Sequence, residues 1–206
     1  MVKKRRKGNC IQPVSLLLLE GDTEQVFYPI VRDKYLRGIR ISLANIKGQG
    51  NINKQVVREA FKFSRDNPGD IFHVYCCIDS EKQKLGATPF DLTQIRREVK
   101  ARKIDGARSI NKILADPDIE SWFFYDIAGI YAFLEVPRHK RNVSKYRPAN
   151  SFGKRDLQDL FHQFGKEYIS GRRAENFINN LNMERIVGSC GELRKGIELI
   201  LKQARI

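Results

Sequence analysis

Two acidic residues two positions apart, Asp79 and Glu81, follow the apolar run Ile71 to Ile78, and a third, Glu20, follows the run Val14 to Leu19. Carboxylates at i and i+2 on an extended chain point the same way, so Asp79 and Glu81 can share one hard cation. Magnesium wants octahedral oxygen ligands and usually takes one or two carboxylates plus waters and phosphate oxygens; manganese favours the same donors. Such a site suits phosphodiester chemistry, where metal ions stabilise the attacking and leaving oxygens of a displacement. An isolated Asp-x-Glu is more often a pair of solvated turn acids. Glu20, at the end of a second apolar run, is what makes the pair a candidate site.

The elements that must position these acids can be read from periodicity. Val14 to Leu19 is apolar throughout, as in a strand buried on both faces of a parallel sheet. Asp22 or Thr23 can cap a following helix carrying Val26, Phe27, Ile30, Val31 and Tyr35, which Pro29 should kink or shorten. Ile39 to Ile46 reads as a second strand, Gly48-Gln49-Gly50 as a turn, and Asn51 to Arg65 as a helix closed by Asn67-Pro68-Gly69-Asp70. Ile71 to Ile78 is a third strand. Thr88-Pro89 reads as a helix start for the stripe Leu92, Ile95 and Val99, and Ala107 to Leu114 as a fourth strand. Ile119 to Leu134 is an apolar helix, Pro137 to Phe152 a basic loop, and Asp156 to Tyr168, Arg172 to Leu181 and Cys190 to Gln203 are helices. Strands alternating with helices predict an α/β fold: a mostly parallel, Rossmann-like sheet with helices on both faces, followed by a C-terminal helical extension. The expected organisation is a basic disordered arm over 1–10, an α/β core over 11–135 and a basic helical extension over 136–206 packed on it. Ligands of such sheets bind beyond the carboxyl ends of the strands, where Glu20, Gly48, Asp79 and Asp116 all fall.

Composition narrows the partners. The 206 residues hold 38 Lys+Arg against 24 Asp+Glu, a net charge of +14 that points to a polyanion, nucleic acid first. Lys140, Arg141, Lys145, Arg147, Lys154 and Arg155 form the densest basic region and are the expected backbone contacts, with the Lys3–Lys7 arm as a weaker one. Cys10, Cys76, Cys77 and Cys190 make no CxxC pair and read as reduced thiols, which fits a cytoplasmic location. No signal peptide is visible, and Leu16–Leu19 is far too short to span a bilayer; no membrane partner is expected.

Leu18-Leu19-Glu20-Gly21-Asp22-Thr23-Glu24 resembles the first motif of Toprim domains, a strand-end glutamate before glycine. Cys77-Ile78-Asp79-Ser80-Glu81 resembles the second, usually Asp-x-Asp, here with glutamate as its second acid. Gly48 or Gly50 resembles the glycine of the turn after the second strand. Ala115-Asp116-Pro117-Asp118-Ile119-Glu120-Ser121-Trp122 resembles a segment of small RloB-like proteins of phage-defence and abortive-infection loci, relatives of the OLD-family nucleases. The resemblance implies that Glu20 is a metal ligand or the acid/base, that Asp79 and Glu81 bind metal, and that Glu120 and Glu24 are further metal ligands. Glu24 and Glu120 read equally as first-turn acids favoured by a helix dipole, and Trp122 reads first as core. The resemblance also implies a lysine near the scissile phosphate, for which Lys154 is the first positional match and Lys166 the second.

Other chemistries fit less well. There is no GxxxxGK[ST] for ATP, no complete dinucleotide fingerprint and no HExxH, and His73, His139 and His162 show no ligand spacing. Pro117-Asp118 precedes acids, but neither Glu120 nor Glu81 supplies the E-x-K of PD-(D/E)xK nucleases. The expectation is therefore an Mg²⁺- or Mn²⁺-dependent nuclease acting on DNA or RNA, an effector in phage defence, with Glu20, Asp79, Glu81 and Lys154 catalytic. The alternative is a non-catalytic nucleic-acid- or nucleotide-binding subunit of a defence ATPase complex. Under either, a separate ATPase partner is plausible and a homo-oligomer is open.

Overall fold

The computed structural model describes residues 12–46, 51–80 and 89–205. Four strands, β1 (Val14–Leu19), β2 (Ile41–Asn45), β3 (Phe72–Asp79) and β4 (Ala107–Ala115), form an all-parallel sheet in the order β2-β1-β3-β4. Successive side chains of a strand point to opposite faces, and here both faces are covered. Leu16, Leu18, Val74, Cys76 and Ile78 are buried with α2 (Ile52–Asp66) and α3 (Leu92–Ala101). Leu17, Leu19, Tyr75, Cys77 and Ile113 are buried on the other face with α1 (Asp22–Tyr35) and the helices that follow β4. The α/β class expected from the alternating pattern is thus the one observed.

After β4 come α4 (Glu120–Phe123), α5 (Ile127–Phe133), α6 (Lys154–Gln163), α7 (Glu175–Asn179), α8 (Met183–Ser189) and α9 (Gly191–Gln203). Leu157, Phe161, Phe177, Ile186 and Leu193 join the same apolar cluster as β1, β3 and α1. α9 lies directly on the sheet. A Cβ on Gly196 would stand 2.7 Å from Ile113 Cδ1, so a larger residue here would force the Ile113 side chain to shift. At the helix end Gln203 Oε1 accepts hydrogen bonds from the Tyr75 hydroxyl (2.6 Å) and Asn111 Nδ2 (3.2 Å).

Several boundaries differ from the sequence expectation, each for a local reason. α1 is capped by Gly21, without a side-chain bond from its cap; Asp22 and Thr23 lie inside the helix, and Thr23 is drawn into a contact with Glu120 instead. Pro29 does not end α1, which continues to Tyr35. α3 begins at Leu92, not at Pro89, because Asp91 accepts the Gln94 N–H as its cap. Ile119 to Leu134 is not one helix: it divides into α4, a 3₁₀ turn and α5, which starts afresh where Asp126 accepts the Gly129 N–H. The basic loop contains three 3₁₀ turns, Arg138–Lys140, Ser144–Tyr146 and Ala149–Ser151. α8, capped by Asn182, has no counterpart in the expected elements. Cys76, Cys77 and Cys190 are free and buried.

Candidate functional site

Strand adjacency brings the first acids together. β1 pairs with β3, Leu19 opposite Cys77, so Glu20 and Asp79 leave the same edge of the sheet. The Asp79 backbone N–H donates to Glu20 Oε2 at 3.0 Å. Asp79 Oδ1 in turn accepts the Ile119 N–H at 3.1 Å, which draws in the segment after β4. Glu24 folds back over the start of α1. A Cβ on Gly21 would sit 2.7 Å from Glu24 Oε2, so the glycine of the Glu-Gly pair keeps that space open.

Glu120, the first residue of α4, is held from two sides. Its Oε1 accepts the Tyr168 hydroxyl at 2.9 Å and the Thr23 hydroxyl at 3.3 Å, and Thr23 Oγ1 accepts the Gly171 N–H at 3.2 Å. Burial and the nearby Glu120 charge raise the Tyr168 pKa, which keeps the phenol a donor. Asp118 ties two helix starts together: Oδ1 accepts the Ser121 N–H at 3.1 Å, and Oδ2 the Lys154 N–H at 2.8 Å. A Cβ on Gly153 would be 2.8 Å from that Oδ2, so this approach also needs glycine.

The result is a cleft of about 370 Å³ whose walls include Glu24, Asp79, Asp118, Glu120, Lys154 and Ser170. Glu20, Glu24, Asp118 and Glu120 are all buried. Asp79 feels this concentration of like charge most: burial first, then Glu24, Glu120, Glu20 and Asp118, push its carboxyl up to about 9, so it holds a proton at neutral pH. Across the cleft Lys154 Nζ donates to Ser170 Oγ at 3.0 Å. The carboxylates of the cleft repel one another, and a single ammonium stands on its wall.

The donor set consists of carboxylate oxygens, which matches magnesium or manganese rather than a thiolate metal. Among the described residues no group of three or more His, Cys, Asp or Glu is arranged as ligands around one point. One or two carboxylates are the usual protein share of a magnesium shell, and the cleft offers carboxylates of that kind.

The structure brings together Glu20, Glu24, Asp79, Glu120 and Lys154, although Glu20 sits against the Asp79 amide and is not part of the cleft wall. Glu81, Gly48 and the Lys3–Lys7 arm lie outside the described residues. Asp116 accepts a hydrogen bond from the Ser80 hydroxyl. Lys166 is engaged elsewhere, its Nζ donating to the Phe133 carbonyl (3.1 Å) and pairing with Glu135 (3.3 Å). Of the six basic candidates only Lys154 lines the cleft. Arg141 donates to the Val136 carbonyl, Lys145 lies over the Tyr146 ring, and Lys140, Arg147 and Arg155 are exposed. Trp122 is core. Sequence reasoning did not single out Asp118, Thr23, Tyr168 or Ser170 for the site. Asp118 lies within the Asp-Pro-Asp-Ile-Glu segment and could have been found there; nothing local marks Tyr168.

No known protein family matches the chain, and no curated protein matches it in sequence. Among solved structures, the C-terminal region of the OLD protein of Xanthomonas campestris pv. campestris aligns over 91% of this chain and 97% of its own, with 14% identity and a TM-score of 0.41. No helix among the described residues is long and apolar enough to cross a membrane.

Proposed function

We propose that this chain is a Mg²⁺- or Mn²⁺-dependent phosphodiesterase acting on nucleic acid, a nuclease of Toprim type. The observation that carries the reading is the cleft lined by the carboxylates of Glu24, Asp79, Asp118 and Glu120 together with Lys154. The net charge of +14 supports a polyanionic substrate. The segments Glu20–Glu24 and Asp116–Trp122 support the narrower assignment to the RloB-like, OLD-related group, and with it a phage-defence effector working beside a separate ATPase.

Asp79 with one of its cleft neighbours, Glu24 or Glu120, would hold the ion. When bound, the ion supplies charge that stabilises the oxygens of the phosphate being displaced. Glu20 fixes the Asp79 backbone and the Ile119 amide fixes its carboxyl, so Asp79 is oriented before substrate arrives. Thr23 and Tyr168 occupy Glu120 Oε1, which sets the direction of Oε2. Lys154, held by Ser170, lies where an ammonium can offset charge that develops on a phosphate in the cleft.

The test is incubation of the purified protein with end-labelled DNA and RNA in Mg²⁺, Mn²⁺ or EDTA. Cleavage in either metal, blocked by EDTA and lost in Asp79→Asn and Glu120→Gln, is expected. Binding without cleavage in every metal would replace this reading with that of a non-catalytic binding subunit.

A further inference from the structure

A second cleft, of about 470 Å³, adjoins the acidic one: Asp22 and Ser170 belong to the walls of both. Its character is opposite. It is lined by Arg172 and Arg173 together with the amides of Gln25 and Asn45. Arg32, Arg40, Arg58, Arg65 and Arg185 each pair with a carboxylate. Arg172 and Arg173 have no such partner among the described residues, and both are exposed. Asp22, the acid on the shared wall, accepts hydrogen bonds from Gln25 Nε2 (2.7 Å) and Asn45 Nδ2 (3.2 Å).

The arginine pair is mounted on a fixed turn. Gly171 has a φ of +77°, a conformation that favours glycine, and a Cβ there would stand 3.0 Å from Asp22 Cβ. Its N–H is bonded to Thr23, inside the first turn of α1. The backbone that carries the two arginines is therefore held beside the N-terminal turn of a 14-residue helix. Guanidinium groups are suited to bidentate contact with phosphate.

We infer that the Arg172–Arg173 cleft binds a backbone phosphate next to the one cut in the acidic cleft, so that one nucleic-acid strand crosses both. The inference rests on the phosphodiesterase reading and adds the direction in which the strand leaves the site. Adjacent phosphodiesters of a strand must meet adjacent surfaces. A strand leaving the carboxylates over Asp22 and Ser170 reaches unpaired positive charge at once.

The experiment compares the wild type with the Arg172→Ala/Arg173→Ala double variant in Mn²⁺, using an oligonucleotide and bis(p-nitrophenyl) phosphate, which has one phosphodiester and no neighbour. Both side chains are exposed, so an unchanged melting temperature is the control for folding. The expected result is a KM for the oligonucleotide raised about ten-fold or more, a kcat near wild type, and unchanged hydrolysis of the small diester. The slope of log affinity against log salt should also become shallower, by about 0.7–0.9 for each phosphate that the variant no longer neutralises. Equal kinetics on the oligonucleotide would overturn the inference. So would a parallel loss on the small diester, which would put the arginines at the scissile phosphate. If the wild type cleaves neither substrate, the phosphodiesterase reading has failed, and oligonucleotide affinity decides the arginine cleft alone. Weaker, less salt-dependent binding by the double variant would then support a backbone-phosphate site, and unchanged binding would overturn it.

Discussion

The crowding of carboxylates around Asp79 makes an unusual prediction: without metal, removing this residue's charge should stabilise the protein. The ordinary carboxyl value of Asp79 is 3.8 and its value in the fold is about 9. Between those limits the folded protein keeps a proton that the unfolded chain has released. Stability then falls as pH rises, by about 1.4 kcal/mol per pH unit, until the folded group also ionises. Near pH 7 the accumulated cost reaches at most about 4 kcal/mol. Asp79→Asn cannot ionise and retains an Oδ1 to accept the Ile119 N–H, so it escapes most of this cost. A gain of about 1–4 kcal/mol is expected, and each kcal/mol is worth ~2–4 °C of melting temperature for a chain of this size. The assay is thermal unfolding in a chelator from about pH 5 to about pH 9. The wild type should lose stability across that range and the variant much less. Added Mn²⁺ should narrow the difference by about 2.7 kcal/mol, the contribution of an ion that binds only the folded wild type at a hundred-fold excess over Kd. If Asp79→Asn melts at or below the wild type at every pH in the chelator, the carboxylates are not electrostatically strained and the argument for a cation site fails.

Three further outcomes follow from the same geometry. Mn²⁺ affinity should rise with pH up to about 9, with release of close to one proton per ion, because Asp79 must lose its proton to bind; calorimetry in buffers of different ionisation enthalpy measures this directly. Lys154→Ala should lower the turnover of nucleic-acid cleavage by on the order of 10²-fold while binding substrate nearly as well. Lys166→Ala should cleave normally, since Lys166 is occupied by Phe133 and Glu135; the reverse pattern would show the lysine to be misassigned. Gly153→Ala places a methyl 2.8 Å from Asp118 Oδ2 and 2.9 Å from Pro117 Cγ, and should destabilise the protein by about 1–3 kcal/mol in thermal melts and reduce cleavage.

The acids at strand ends could be read from sequence because a buried parallel strand is a continuous apolar run, and its last residue is fixed where that run stops. Glu20 after Leu19 and Asp79 after Ile78 need no tertiary information beyond the adjacency of β1 and β3. Lys154 was reachable only through a resemblance, since one lysine among many basic residues carries no local mark. The break at Asp126 was not readable from apolar spacing, which continues through Trp122, Phe123, Ile127 and Tyr131. It depends on a buried carboxylate that also accepts the Asn182 N–H at 2.7 Å and pairs with Arg185 at 3.1 Å, both remote in sequence. Arg172 and Arg173 were absorbed into an expected helix. Their placement follows from the positive φ of Gly171 and its bond to Thr23, neither visible in a one-dimensional pattern.

The chain after residue 135 does more at this site than add positive charge. Asp118 and Glu120 belong to the loop and helix that follow the sheet, yet their partners come from farther along: the Lys154 N–H on Asp118, the Tyr168 hydroxyl on Glu120, and the Gly171 N–H on the Thr23 hydroxyl that also reaches Glu120. A buried carboxylate without such donors keeps its desolvation cost and gains nothing in return. Glu120 without Tyr168 would lose a donor that holds its carboxylate in place, and a change in its position alters the field at Asp79. The acidic cleft is therefore completed by the segment 153–171, which also carries Lys154 and leads directly into Arg172 and Arg173. One stretch of chain thus orients the carboxylates and carries the cations that line the two clefts. A change in its packing should alter charge on both sides of the cleft together.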